Sequence, residues 1–262
     1  MNGLLGYFDV FLLVFARMGG AIFSNPMFTK RNVPMRVRAR LVLALSLLIA
    51  PGLSGNVVSG FNTLEMAMAL MKEVVLGLCM GLILQIFFYM IFVAGDLLDT
   101  VFGLSMGKVM DPVNGVSASI FGQLLNVCFF LYLFATGTHL LLIKVYAYSF
   151  EMIPVGTYTL VVSEISAYLL TLFQSAFVMV IKLALPFVAA EFILEAAMGV
   201  LMKLIPQIHV FVINLQVKIL AGMLLMMLFA QPVGNFIDRY ITVMFDEIQR
   251  LTREAVALVS EG

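Results

Sequence analysis

The chain has 262 residues, of which 63% are hydrophobic and 11% charged, and its formal charge is zero. Soluble domains carry about 25% charged residues, and a folded sphere needs a polar skin that this composition cannot supply, so a soluble globular protein is excluded. The zero net charge gives no case for nucleic acid binding, and the long unbroken apolar runs exclude a transmembrane β-barrel in favour of helices that satisfy their own backbone in lipid.

In chain order, Leu4–Phe23 reads as a first apolar helix. It is expected to be retained, because no basic residue precedes Arg17, Asp9 interrupts the run and no small-x-small cleavage site follows. The segment from Lys30 to Arg40 holds five of the fifteen basic residues in eleven positions and no acid, which places it on the cytoplasmic side. Leu41–Val58, containing Pro51, is a weaker span, and the uncharged Gly52–Gly60 connector reads as an outer turn. Apolar runs longer than about 18 residues mark membrane crossings. Val74–Ala94 and Ser117–Ile143 meet that test outright, and Ile219–Ile237 is a third, with Gln231 and Pro232 near its end. Val155–Ile181 tolerates Glu164, whereas Leu183–Val217, with Pro186, Pro206, Glu191, Glu195 and Lys203, reads as a bent hairpin or broken helix. In the tail, Ile237, Ile241, Met244, Ile248, Leu251, Ala255 and Leu258 recur at spacings of four and three, the seam of an amphipathic helix. That helix lies on its own protein, on the membrane surface or against a partner.

Between the third and fourth apolar segments, residues 96–116 are too polar and glycine-rich to span lipid, yet Phe102, Leu104, Met106, Val109 and Met110 are too apolar for a solvated loop. Irregular backbone at membrane depth is tolerated only where protein buries it or water lines it. A re-entrant loop or pore plug satisfies that condition, and a short interfacial helix is the alternative. Asp9, Arg17, Lys72, Glu73, Glu164, Lys182, Glu191, Glu195, Lys203 and Lys218 are charges within or beside apolar helices. Such charges face a bundle interior or a watery path, and the near-even mixture of signs suits pairing better than a chain of proton-carrying acids. Cys79 and Cys128 stand alone as small hydrophobes, and His139 and His209 lack a companion at metal-ligand spacing. There is no phosphate-binding loop, nucleophile elbow or zinc-protease motif. No cofactor and no enzymatic activity are expected.

Several of these residues, in this order, resemble the FliR family, export-gate components of flagellar type III secretion. The resemblance runs over nearly the whole chain: Arg17, Asn25-Pro26, Val33-Pro34, Arg38 and Ala50-Pro51; then Glu73, Gly77 and Gly81, Ala94-Gly95, Gly103 and Asp111-Pro112. It continues through Gly137-Thr138-His139, Ser149-Phe150, Pro154-Val155-Gly156, Ile205-Pro206-Gln207, Val210-Phe211 and Lys218. The sequence departs from the family's commoner residues at Lys203, His209, Asn214 and Gln216.

The resemblance implies an all-α membrane protein of kinked helical hairpins, a structural fusion with a FliP-like part over about 1–150, a FliQ-like hairpin over 151–236 and an amphipathic tail over 237–262. It implies assembly with FliP and FliQ, association with FlhB, passage of unfolded flagellar proteins, contact with membrane lipid, and a place in the bacterial inner membrane at the flagellar basal body. Virulence-type secretion homologues are similar, and the motif order favours the flagellar branch; a self-contained proton-coupled transporter is the alternative from another class. The implied plug loop comprises Phe102, Gly103, Leu104, Met106, Gly107, Met110, Asp111 and Pro112. Arg17, Glu73, Glu191, Glu195 and Lys203 are expected to pair between subunits, and Pro186 and Pro206 to bend helices that pack on neighbours.

Overall fold

A computed structural model describes residues 2–29, 33–53, 61–106, 119–156, 162–204 and 210–260. It is an all-α membrane protein, with no strand among the described residues. The helices are α1 (Asn2–Ser24), α2 (Pro26–Thr29), α3 (Met35–Ile49), α4 (Thr63–Val101), α5 (Ile120–Ala135), α6 (Thr138–Met152), α7 (Val162–Leu204), α8 (Val210–Leu228) and α9 (Ala230–Ser260). Three stretches are long and apolar enough to cross a membrane by themselves: Gly6–Ser24, Thr63–Val101 and Ile165–Leu204.

The differences from the expected spans have local causes. The run Ser117–Ile143 is broken at Gly137, whose φ of +70° suits a residue without a side chain and separates α5 from α6. The run Ile219–Ile237 bends by 64° between α8 and α9. Pro232, four residues after Leu228, has no N–H to offer the Leu228 carbonyl and its ring crowds that oxygen. Pro51 ends α3 in a 3₁₀ turn, Ala50–Gly52. Conversely, residues 162–181 of the expected Val155–Ile181 span and the start of Leu183–Val217 are one helix, because α7 runs unbroken through Pro186 to Leu204. Pro186 therefore does not end its helix, and Pro206 lies outside the described residues.

The chain divides into two compact units that interleave along the sequence. The first comprises Met1–Phe87, Gly137–Leu172 and Val243–Gly262; the second, Phe88–Thr136 and Phe173–Thr242. The first buries Leu13, Val14 and Met18 of α1, Met80, Ile83 and Phe87 of α4, Tyr146 and Phe150 of α6, and Met244 and Ile248 of α9. Its helices α1 and α4 meet through glycines. A methyl group on Gly20 would lie 2.6 Å from the Val74 carbonyl oxygen, and one on Gly77 would overlap the Arg17 carbonyl.

The core of the second unit is aromatic. Phe88 meets Phe129 edge-on at 4.8 Å between centroids, and Phe129 meets Tyr240 at 6.1 Å. A second series joins Phe121 to Phe102 at 5.8 Å, Phe102 to Phe187 at 6.3 Å and Phe187 to Phe229 at 5.3 Å. Edge-to-face rings at these separations attract through their quadrupoles and lock their neighbours' rotamers. The amphipathic seam lies on α9, which starts at Ala230, and its residues Ile237, Ile241, Met244, Ile248 and Leu251 are buried; the side chains of Ala255 and Leu258 lie outside the described residues.

Candidate functional site

Two features combine ionised groups or irregular backbone with an apolar setting, one in each unit. In the first unit, Glu73 on α4 and Arg17 on α1 are separated by 56 positions and meet at 2.5 Å, with side chains 0% and 1% exposed. The Arg17 guanidinium also donates to the carbonyl oxygens of Ser149 (3.0 Å) and Ile153 (3.1 Å), and stands 4.4 Å from the centre of the Phe150 ring. The other Glu73 oxygen accepts from the Gly156 backbone N–H at 2.9 Å. Gly156 can occupy this place because its φ is +75°. Nearby in the sequence, the Asn25 side-chain amide donates to the buried Tyr146 hydroxyl at 3.3 Å. The ion pair thus fastens α1, α4 and the end of α6 to one another. Both side chains are buried and pair with each other inside the chain.

In the second unit, α4 ends at Val101 and the backbone turns through Phe102–Ser105. Phe102 is only 1% exposed. Its ring fits against Gly222 of α8 so closely that a methyl group there would lie 2.6 Å from the ring. Gly103 follows with φ +75°, over the side chains of Leu215 and Lys218. The Ser105 N–H returns to the Asp99 carbonyl at 3.2 Å, and the Asp99 carboxylate accepts from the N–H groups of Ile120 (2.7 Å) and Phe121 (3.0 Å) at the start of α5. A carboxylate there answers unpaired N–H groups and the positive end of the helix dipole. Both ends of the loop between α4 and α5 are therefore fastened by Asp99. Phe102 is an anchor in the core, Leu104 is half-buried and Met106 is exposed. Gly107, Met110, Asp111 and Pro112 lie outside the described residues.

Gly222→Ala is expected to expel the Phe102 ring. A cysteine at Met106 should then react faster with a membrane-impermeant maleimide than the same cysteine beside Gly222, and an unchanged rate would contradict the anchor.

Beneath Gly103, Lys218 of α8 is held between two carboxylates of α7, Glu191 at 2.7 Å and Glu195 at 2.5 Å. Glu191 is buried and Glu195 is 49% exposed. Lys203 is exposed on the same helix. Sequence spacing gave no means of joining Lys218 to these acids, since they lie on different helices; nor did it single out Asp99. Also in this unit, a cavity of about 520 Å³ is lined by Leu124, Cys128, Tyr132, Met223, Met227 and Val233 among others. It offers only apolar contact, because the Tyr132 hydroxyl is engaged with Asp238 at 2.7 Å. Among the described residues no group of His, Cys, Asp and Glu is placed to hold a metal ion.

Residues 8–244 match the model of the family described as bacterial export proteins, family 1. The chain is 29% identical to the flagellar biosynthetic protein FliR of Bacillus subtilis (strain 168), over 86% of this chain and 88% of that protein. It is 24% identical to FliR of Escherichia coli (strain K12), over 97% and 95% of the two chains. To Yop proteins translocation protein T of Yersinia pestis it is 23% identical, over 82% and 83%. With the match covering most of the chain, including the Arg17–Glu73 pair and the Phe102 anchor, this protein belongs to family 1 of the bacterial export proteins.

Proposed function

We propose that this chain is a non-enzymatic subunit of the flagellar type III export gate in the bacterial inner membrane. It assembles with FliP and FliQ, associates with FlhB at the basal body, and helps to form the closed channel for unfolded flagellar proteins. The FliR relatives support the flagellar reading. The observation that carries assembly is the apolar span of α7. Its 40 residues extend for about 60 Å at 1.5 Å per residue, whereas the hydrocarbon core of a bilayer is about 30 Å thick. Only 28% of its most apolar window is buried inside the chain. The hydrocarbon core covers about half of that length, which supports cover of the rest by other subunits. Exposed Lys203 and the end of the helix near Pro206 belong to that covered surface.

Within this reading, the loop of which Phe102–Met106 is the described beginning acts as a plug. Apolar Phe and Met side chains shed water and tolerate deformation, while the Asp99 and Phe102 anchors keep its base in place. Replacing Leu104–Met110 by a Gly-Ser linker, with both anchors retained, is expected to leave assembly intact and raise ion leak through the membrane. An assembled complex with unchanged leak would defeat the plug.

Deletion of the chain from a flagellated bacterium should stop secretion of flagellin, and the full chain should restore it while co-purifying with FliP and FliQ. A stable monomer that moves a small solute with protons in liposomes would overturn the gate and favour a self-contained transporter.

A further inference from the structure

One exposed stripe of α3 changes character along its length. Arg36, Arg40, Leu43 and Leu47 follow one another at spacings of four, three and four, which puts them on one face of the helix. All four are exposed, the two leucines at 49% and 55%. Other sides of the helix are turned inward. Val42 and Ser46 are buried, and the half-buried Arg38 donates from Nε to the Val33 carbonyl at 3.3 Å.

The basic end of this stripe brings no acid with it. The sequence holds no Asp or Glu from Val10 to Leu64, so neither α3 nor the connectors on either side of it carry a carboxylate of their own. Two like charges one helical turn apart disfavour each other, and the positive end of the helix dipole lies at the same place. An anion between the two guanidiniums relieves both, because each donates charge-assisted hydrogen bonds to phosphate oxygens.

The length of the stripe selects the kind of anion. α3 has 15 residues, about 22 Å, and does not cross a hydrocarbon core of about 30 Å. From Arg36 to Leu47 the stripe runs for about 16 Å, close to half that core and therefore to one leaflet. Free phosphate would leave Leu43 and Leu47 uncovered. A partner helix would have to carry its acids at one end of an apolar face. A phospholipid joins an anionic headgroup to apolar chains in that order by its constitution, and basic residues beside membrane helices attract such lipids.

We infer that the exposed face of α3 binds an anionic phospholipid, its headgroup phosphate between Arg36 and Arg40 and an acyl chain along Leu43 and Leu47. Contact with lipid in general selects no headgroup; this stripe does. The inference requires only that the chain lies in a membrane, and it stands apart from the gate reading.

The chain contains no tryptophan, so Leu43→Trp sets a local probe on the stripe. The full-length variant, with whatever subunits accompany it, is reconstituted into phosphatidylcholine bilayers, and the fluorescence that it adds over the parent is followed. Phosphatidylglycerol with brominated acyl chains should quench this emission at about a fivefold lower mole fraction than brominated phosphatidylcholine. Arg36→Gln/Arg40→Gln should remove the preference and Arg36→Lys/Arg40→Lys should keep it. Salt at about 1 M, where screening acts within about 3 Å, should weaken it. Equal quenching by the two lipids would overturn the inference, since the stripe would then meet only unselected bilayer lipid. Quenching by neither would overturn it as well, and would assign the face to a covering protein. So would a preference that survives the glutamine pair in protein as monodisperse as the parent, which would put the selective site elsewhere.

Discussion

Glu73→Ala is expected to abolish recovery of folded protein from the membrane. The substitution strands the Arg17 guanidinium at 1% exposure and removes the acceptor of the Gly156 N–H. Breaking a buried pair by deleting one partner costs about 3–5 kcal/mol, comparable with the whole stability of many domains. Arg17→Ala should be equally damaging, because Ser149 and Ile153 lose their donor in addition. The informative comparison is the double variant Arg17→Met/Glu73→Leu. Replacing both charges with apolar side chains of similar size removes the stranded ion, so the double variant should survive detergent extraction better than either single one. Monodispersity on size-exclusion chromatography after a temperature series reads this directly. A Glu73→Ala protein as heat-resistant as the parent would show that the pair contributes nothing, and a double variant worse than both singles would show that the charges themselves are required.

The second large effect is expected at glycines where two helices touch. A Cβ on Gly77 overlaps the backbone of Arg17, and one on Gly95 overlaps the backbone of Gly122 and Phe121. Backbone cannot step aside as a flexible side chain can, so the helices must separate. Overpacking typically costs about 1–3 kcal/mol and occasionally more, and these two sites belong at the upper end. Gly77→Ala and Gly95→Ala should therefore lower the midpoint of thermal aggregation sharply, the first through the α1–α4 contact and the second through the α4–α5 contact. Gly19→Ala supplies the control: it is also helical, its Cβ meets nothing within 4 Å, and alanine gains about 1 kcal/mol over glycine in a helix interior. It should raise the midpoint slightly. If all three variants behave alike, helix propensity and not close approach governs these positions.

The class of fold was legible because apolar content and run length depend on composition alone, and the tail seam was legible because periodicity is local. The breaks were less so. Gly137 sits in a run as apolar as any in the chain, and nothing nearby signals that its backbone adopts a positive φ. Pro186 and Pro232 are the same residue type, yet one is carried through a long helix and the other stands beside a 64° bend. Packing decides such cases, and packing is not written in a window of neighbours. The charged residues show the same limit. Arg17 and Glu73 could be named as charges needing partners, but only the fold shows that they answer one another. Lys218 could be named too, yet its two acids lie 23 and 27 positions away on another helix. Phe102 could be named as an apolar residue of an irregular loop, but not that its ring fills the notch at Gly222, where a large apolar ring gains from burial.

The interleaving of the two units has a consequence for biosynthesis. The first unit takes its last segment from Val243–Gly262 and the second closes only with residues up to Thr242. Neither can be completed before the residues up to Thr242 have been made. At about 5–20 residues per second, Arg17 and Glu73 wait many seconds in the nascent chain for the carbonyls of Ser149 and Ile153 and the N–H of Gly156 to be made. During that interval their charges are exposed to the insertion machinery and to membrane proteases. A chain that stops short of Thr242 therefore yields not one finished half but two unfinished ones, and the cell has reason to destroy both.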